Sequence, residues 1–304
     1  MSHPIFLALA CIVAWSFLAV VAKLAQSNLD HFQFLFWSNV LSSIVVGICY
    51  FLFTPKTSER VKPTFAQLGF TALLGFLGCF LYYLLLYYGY ATASGVEVLI
   101  VQYSWPALIA LFAVMLLGER MCKRKGLSVF LGFLAMLVVV TKGDWSQFSL
   151  DNQQPLLVVL IGAASFALFS VLSKKETLPP MQSTTLYFVW ASIYSFIAMC
   201  IWSEFVLPDT RSLFVLCVNG ALINGLSYIL WIIALSKTDA SRLAPLVYLS
   251  PVLAVIWLVL FLDEPFYTIY IVGISLSIAS GLLTIGIREQ PKVTSQRASQ
   301  SLSS

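Results

Sequence analysis

The chain has 304 residues, of which 60% are hydrophobic and 10% charged, with a formal net charge of +4 and a mean hydropathy of +0.92. A water-soluble domain carries about a quarter charged residues, so this composition excludes a soluble globule and calls for a membrane around the apolar surface. The positive balance is spread over segments that flank apolar runs, so no nucleic-acid partner is expected.

The apolar runs are continuous rather than alternating, which selects membrane-spanning helices. The first run, Ile5–Ala25, lacks a basic lead and is too long for the apolar core of a leader, so it reads as a retained span. Phe32–Phe53 follows, then Ala66–Gly89, then Val96–Gly118 with Pro106 inside it, then the shorter Gly126–Thr141. A polar connection, Lys142–Gln154, precedes Pro155–Ser173, Ser183–Ser203, Leu213–Ser236, Ala240–Leu262 and Tyr267–Ile287. Beyond Arg288 the chain is rich in Ser and Gln and reads as a disordered tail.

Lys and Arg sit overwhelmingly on one side of these spans. Lys56, Arg60, Lys62, Arg120, Lys123, Arg124, Lys125, Lys174, Lys175, Lys237, Arg242, Arg288, Lys292 and Arg297 share a side, against Lys142 and Arg211 opposite. Basic loops stay cytoplasmic, so both termini are expected inside.

The stretch Tyr103–Arg120 is repeated, at an offset of 145 residues, by Tyr248–Pro265. Tyr103, Pro106, Leu108, Val114, Leu117 and Glu119 match Tyr248, Pro251, Leu253, Val259, Leu262 and Glu264. Two halves of five spans each, an odd number, must lie upside down relative to one another. The expected fold is therefore an all-α integral membrane protein: ten transmembrane helices as two inverted five-helix repeats around a central cavity. Residues 1–145 form the first repeat, 146–289 the second and 290–304 a cytoplasmic tail. Pro106 then falls toward the outer part of the membrane and Pro251 toward the inner part.

No nucleotide-binding glycine loop, GxSxG elbow, HExxH or Cys/His cluster is present, so neither an enzyme nor a cofactor or metal is expected. The cysteines are scattered, and His3 and His31 stand near span ends, poorly placed for a buried relay. Intramembrane polar and aromatic residues are the candidates that remain. Gln102, Tyr103, Ser104 and Trp105 cluster before Pro106, where a lost backbone hydrogen bond can open a helix to a cavity; the plainer reading of Pro106 and Pro251 is a bend for packing. Tyr83 and Tyr228 match at the same offset and either line a substrate path or fill the core, with Trp231 beside Tyr228 in its span. Tyr87, Tyr88 and Tyr90 read as an interfacial belt. Asn39, Asn219 and Asn224 read as interhelical hydrogen-bonding groups, and Gly273, Ser277 and Gly281 as a close-packing face. For Glu119, beside a basic cluster, a structural ion pair is expected. Lys23 and Glu97 lie near the outer ends of their spans, where intramembrane charge signals function unless it reaches the interface.

Trp15 eight positions before Lys23, together with the Pro…Leu-Gly-Glu-Arg and Pro…Leu-Asp-Glu-Pro endings, resembles the drug/metabolite transporter superfamily, EamA family, from Ile5 to Ile287. The second half departs from the pattern, with Phe166 where Trp15 would repeat ahead of Lys174. Glu97, Val98, Tyr103, Trp105 and Pro106 are similar to a signature of the bacterial aromatic-amino-acid exporter branch. The resemblance implies a secondary transporter of the bacterial inner membrane that exports aromatic or other bulky amino acids, with importers and exchangers in the same family. The expected partners are a small-molecule substrate and membrane lipid, the protein being a monomer or homodimer. The substrate path would involve Trp15, Lys23, Tyr83, Glu97, Gln102, Tyr103, Trp105, Pro106, Asn224, Tyr228, Trp231, Tyr248 and Pro251.

Overall fold

The computed structural model describes residues 4–18, 29–54, 61–93, 95–144, 146, 153–262 and 265–285. They form helices α1 (Pro4–Ser16), α2 (His31–Phe53), α3 (Phe65–Thr92), α4a (Gly95–Gln102), α4b (Trp105–Leu117), α5 (Lys123–Val140), α6 (Gln153–Leu172), α7 (Pro180–Trp202), α8 (Thr210–Lys237), α9 (Ala240–Phe261) and α10 (Ile269–Ile285). No strand occurs among the described residues. Among the described residues, seven helical stretches are long and apolar enough to cross a membrane: α2, α3, α4 from Glu97 to Leu117, α6 with its following turn, α7, α8 and α9. Helices α1 and α10 are shorter apolar helices, and α5 opens on Lys123-Arg124-Lys125. Large side chains such as Phe51, Leu52, Phe65 and Leu282 face outward, an arrangement that lipid accommodates and water does not.

Helix starts follow local chemistry. Asp30 accepts from the amides of Phe32 and Gln33 at 2.8 and 2.9 Å, and the Gln33 side chain accepts in return from the Asp30 amide. Thr64 and Gln67 make the same reciprocal box at the head of α3. Within α4 the chain breaks at Tyr103–Ser104, so that Pro106 stands in the first turn of α4b, where its missing N–H leaves no bond unmade.

Two helices carry a feature that sequence reading does not anticipate: π-helical turns at Phe76–Leu81 in α3 and Val218–Leu226 in α8. Each precedes one of the matched tyrosines, Tyr83 and Tyr228. The extra residue per turn swings those tyrosines relative to a regular helix. Close packing accompanies the distortion. A Cβ on Gly78 would lie 2.2 Å from Phe169 Cγ, and one on Gly220 would lie 2.9 Å from the Ser38 carbonyl.

Buried polar groups tie neighbouring helices. Asn219 Nδ2 donates to Ser38 Oγ at 3.1 Å, and Ser42 Oγ to the Gly220 carbonyl at 2.8 Å, joining α8 to α2. The small face of α10 is used internally: a Cβ on Gly273 would lie 2.3 Å from Val139 of α5. Ser128 Oγ donates to the Ser280 carbonyl at 2.6 Å and Ser280 Oγ to the Ser128 carbonyl at 2.7 Å. In lipid, where no hydrophobic force pulls helices together, such close approach and reciprocal bonding hold them.

Candidate functional site

Helices α1, α3, α4, α6, α8 and α9 border a partly open cavity. Trp15 contributes from α1 and Leu18 from just beyond it, Tyr82 and Tyr83 from α3, and Gln102, Tyr103 and Trp105 from the break in α4. Phe166 comes from α6, Ile223 and Tyr228 from α8, and Val247 and Ser250 from α9. No side chain carrying a formal charge is among them. The described lining is rings, hydroxyls, one amide and the aliphatic side chains of Leu18, Ile223 and Val247.

The rings meet edge to face. Trp15 lies 5.8 Å from Trp105, 6.1 Å from Phe166, 6.1 Å from Tyr228 and 5.4 Å from Trp231, centroid to centroid. Trp105 and Phe166 are 4.8 Å apart at 70°. Such pairs are worth about 0.5–1.5 kcal/mol each beyond the area they bury, so the cluster is a stiff aromatic surface. Phe166, the residue that replaces the expected second tryptophan, thus faces Trp15 itself.

The hydroxyls are joined in two short networks. Tyr90 Oη donates to Gln102 Oε1 at 3.1 Å, and Gln102 Nε2 donates to Tyr82 Oη at 2.8 Å. Tyr83 Oη donates to Asn224 Oδ1 at 3.0 Å and lies 3.1 Å from Tyr228 Oη, which also lies 3.3 Å from the Gly78 carbonyl. The two tyrosines matched at an offset of 145 residues therefore touch.

Away from the cavity, the ends of α4b, α5, α6, α8 and α9 meet in a polar knot. Gly118 ends α4b in the left-handed region, φ 66°, which a glycine adopts without a Cβ penalty, and it turns Glu119 toward α9. The Glu119 carboxylate accepts from the amides of Ala240 and Ser241 at 2.9 Å each and from Ser241 Oγ at 2.6 Å. Lys174 Nζ stands 3.8 Å from Glu119 Oε1 and donates to the carbonyls of Leu235 and Thr238 at the end of α8. Lys125 Nζ donates to Asp239 Oδ2 at 3.2 Å and Ser241 Oγ at 2.8 Å. The anion sits at a helix N-terminus and the cation at a C-terminus, each complementing the local dipole. The ion pair expected of Glu119 is therefore made with a distant lysine rather than with the adjacent basic cluster.

The structure brings Trp15, Tyr83, Gln102, Tyr103, Trp105 and Tyr228 to the cavity wall. Asn224 and Trp231 stand directly behind it, bonded to Tyr83 and packed on Trp15. Pro106 is buried in the first turn of α4b, and Pro251 within α9. Tyr248 is fully buried elsewhere, against Ile100, Met136 and Phe133. Glu97 is 6% exposed in the first turn of α4a and is not part of the lining. Lys23, Glu264 and the tail 290–304 lie outside the described residues. Sequence reasoning missed Tyr82, Phe166 and Ser250 as lining residues. Tyr82 was hidden in a run with Tyr83, Tyr87, Tyr88 and Tyr90, and Ser250 stands one position before the matched Pro251.

The profile of the EamA-like transporter family matches residues 3–141 and again 153–286. An uncharacterized transporter of Bacillus subtilis, YetK, is 23% identical over 285 residues, 90% of this chain and 83% of its own length. An S-adenosylmethionine uptake transporter of Rickettsia conorii is 26% identical over 241 residues, 78% of this chain and 76% of its own. The aromatic amino acid exporter YddG of Ancylobacter novellus is 23% identical over 186 residues, 61% of this chain and 65% of its own. A solved crystal structure superposes over 100% of both chains with a TM-score of 0.82 at 18% identity, a likeness of fold. Multi-pass apolar helices, a ring-lined cavity and a family match spanning both parts of the chain agree: this protein is a membrane transporter of the EamA-like family.

Proposed function

We propose that the protein is a secondary transporter that exports aromatic or other bulky amino acids, or closely related metabolites, by alternating access. The observation that carries this reading is the cavity itself, ring-lined, furnished with hydroxyls and with no formally charged side chain among its described lining residues. Such a wall suits a flat, net-neutral solute and disfavours a phosphate or other multiply charged anion, whose desolvation no described lining residue would offset. The resemblance of Glu97, Tyr103, Trp105 and Pro106 to the exporter signature and the similarity to an aromatic amino acid exporter support it. A second reading, uptake of a substrate such as S-adenosylmethionine, is favoured by the longer alignment to the Rickettsia transporters. A sulfonium beside Trp faces would also be electrostatically welcome.

The plan of two inverted halves, 1–145 and 146–289, is part of the proposal. It is supported by the double family match and by the π-helical turns, since Phe76–Leu81 carried forward by the 145-residue offset falls within Val218–Leu226. The distribution of Lys and Arg supports cytoplasmic termini in a bacterial inner membrane. Overexpression tests the direction and class together. Cells should become more tolerant of toxic Phe, Tyr and Trp analogues and should lose them faster. Unchanged tolerance with the protein verified in the membrane contradicts export of this class, and heightened sensitivity favours uptake.

A further inference from the structure

The hydroxyls that border the cavity are not equivalent as hydrogen-bonding partners. A phenol has one proton to give. Tyr83 gives its proton to Asn224 Oδ1, and Tyr228 gives its own to Tyr83 Oη or to the Gly78 carbonyl. Tyr82 differs. Because Gln102 Oε1 is taken by Tyr90, the Gln102 amide N–H is what reaches Tyr82, at 2.8 Å. Tyr82 Oη is thereby an acceptor within the protein, and no described residue accepts its proton. Its side chain is 6% exposed and lines the cavity. Independently, the indole N–H of Trp15, also at the cavity, is buried and has no acceptor among the described residues. Both residues line the cavity, and none of its described lining residues carries a carboxylate.

We propose that this part of the cavity receives the carboxylate of the substrate, with Tyr82 Oη–H and Trp15 Nε1–H as its donors and Gln102 as the positioning residue that fixes Tyr82 as a donor. The inference rests on the amino-acid reading above and deepens it by assigning the end of the molecule that is recognised. Buried donors without acceptors are costly, and a carboxylate relieves both at once. A primary amide relieves them less well and brings N–H groups that oppose the donors. In a low-dielectric site this difference discriminates more sharply than ring contacts, which every aromatic solute shares.

The test uses the full-length protein in detergent at pH 7 and a pair of probes of equal shape, indole-3-propionate and indole-3-propionamide, titrated by calorimetry. The wild type should favour the acid by about tenfold or more, the size expected for one well-made hydrogen bond to a charged group. Tyr82→Phe and Trp15→Phe should each bring the ratio toward unity through weaker acid binding, with amide binding little changed. Gln102→Glu should invert the preference, because the new carboxylate accepts the Tyr82 proton and repels the acid. Thermal unfolding of each variant separates misfolding from altered recognition, and a ratio needs only a folded fraction. Equal binding of both probes by the wild type, or preference for the amide, would mean that the Gln102 amide faces the other way and would overturn the proposal. An unchanged ratio in Tyr82→Phe would overturn it equally. If tryptophan flux in liposomes is intact while the ratio is unity, the carboxylate assignment alone fails; if neither probe binds and no aromatic amino acid is moved, the amino-acid reading fails and takes this inference with it.

Discussion

Replacing Glu119 by Ala is the sharpest test of how the helix ends are held together. The carboxylate accepts three hydrogen bonds, two from the first amides of α9 and one from Ser241 Oγ. A bond to a charged group contributes about 1.5–3 kcal/mol, so three would sum to about 4.5–9 kcal/mol if nothing were recovered. Part is recovered, because the knot borders solvent: the Asp239 side chain is 37% exposed. Removing one member of a buried charge network costs about 3–5 kcal/mol, and the lower end, about 3 kcal/mol, is expected here. Glu119→Gln keeps the shape and one acceptor and should cost about half as much. Unfolding of the purified protein in detergent, with Ser241→Ala and the double variant completing a cycle, measures the coupling. A coupling of about 1–2 kcal/mol is expected between groups in such contact. Additive single effects, or a Glu119→Ala variant as stable as the wild type, would refute the capping account.

Three further outcomes follow from the same geometry. Gly78→Val should destabilise by about 1–3 kcal/mol through overpacking, because its Cβ would meet the Phe169 ring; unfolding measures it, and a neutral result would show that the ring can move. Asp209 caps α8 by accepting from the Ser212 amide at 2.7 Å, and bonding to the Ser212 side chain and backbone holds its carboxyl below the usual range. A lowered value means that the cap is complete above the ordinary carboxylate range and is lost as pH falls through the folded value; amide exchange at Ser212 should speed up in acid, and Asp209→Asn should remove that pH dependence. Reporter fusions after Arg60 and Arg124 should signal cytoplasm and one after Asp151 the outside, while an external signal at Arg124 would contradict both the orientation and the inverted plan.

Much of the fold was legible because lipid imposes simple rules. Long apolar runs become helices, and Tyr83 and Tyr228 could be paired by the offset of 145 residues before their contact was known. The π-helical turns were not legible, since no residue type encodes an extra residue per turn as Pro106 encodes a break. The cavity was legible only in part. Gln102 and Trp105 stood out as polar or bulky groups beside the break in α4 and Trp15 through the family resemblance, but Tyr82 could not be told from its neighbours without knowing which face of α3 turns inward. Tyr248 matches Tyr103 in sequence, whereas the turn at Ala244–Tyr248 sets its ring in the core against Met136. Glu119 was legible as a repeated carboxylate, yet its partners lie more than a hundred residues away and no spacing announces them.

Counterflow in liposomes tests the central claim most directly. Purified protein, reconstituted and preloaded with unlabelled tryptophan, should accumulate labelled tryptophan, phenylalanine and tyrosine. It should not accumulate a phosphorylated sugar, and Trp105→Ala should abolish exchange while leaving the protein folded. Exchange of the phosphorylated sugar, or aromatic exchange undiminished in Trp105→Ala, would contradict the assignment of the ring-lined cavity as the transport site.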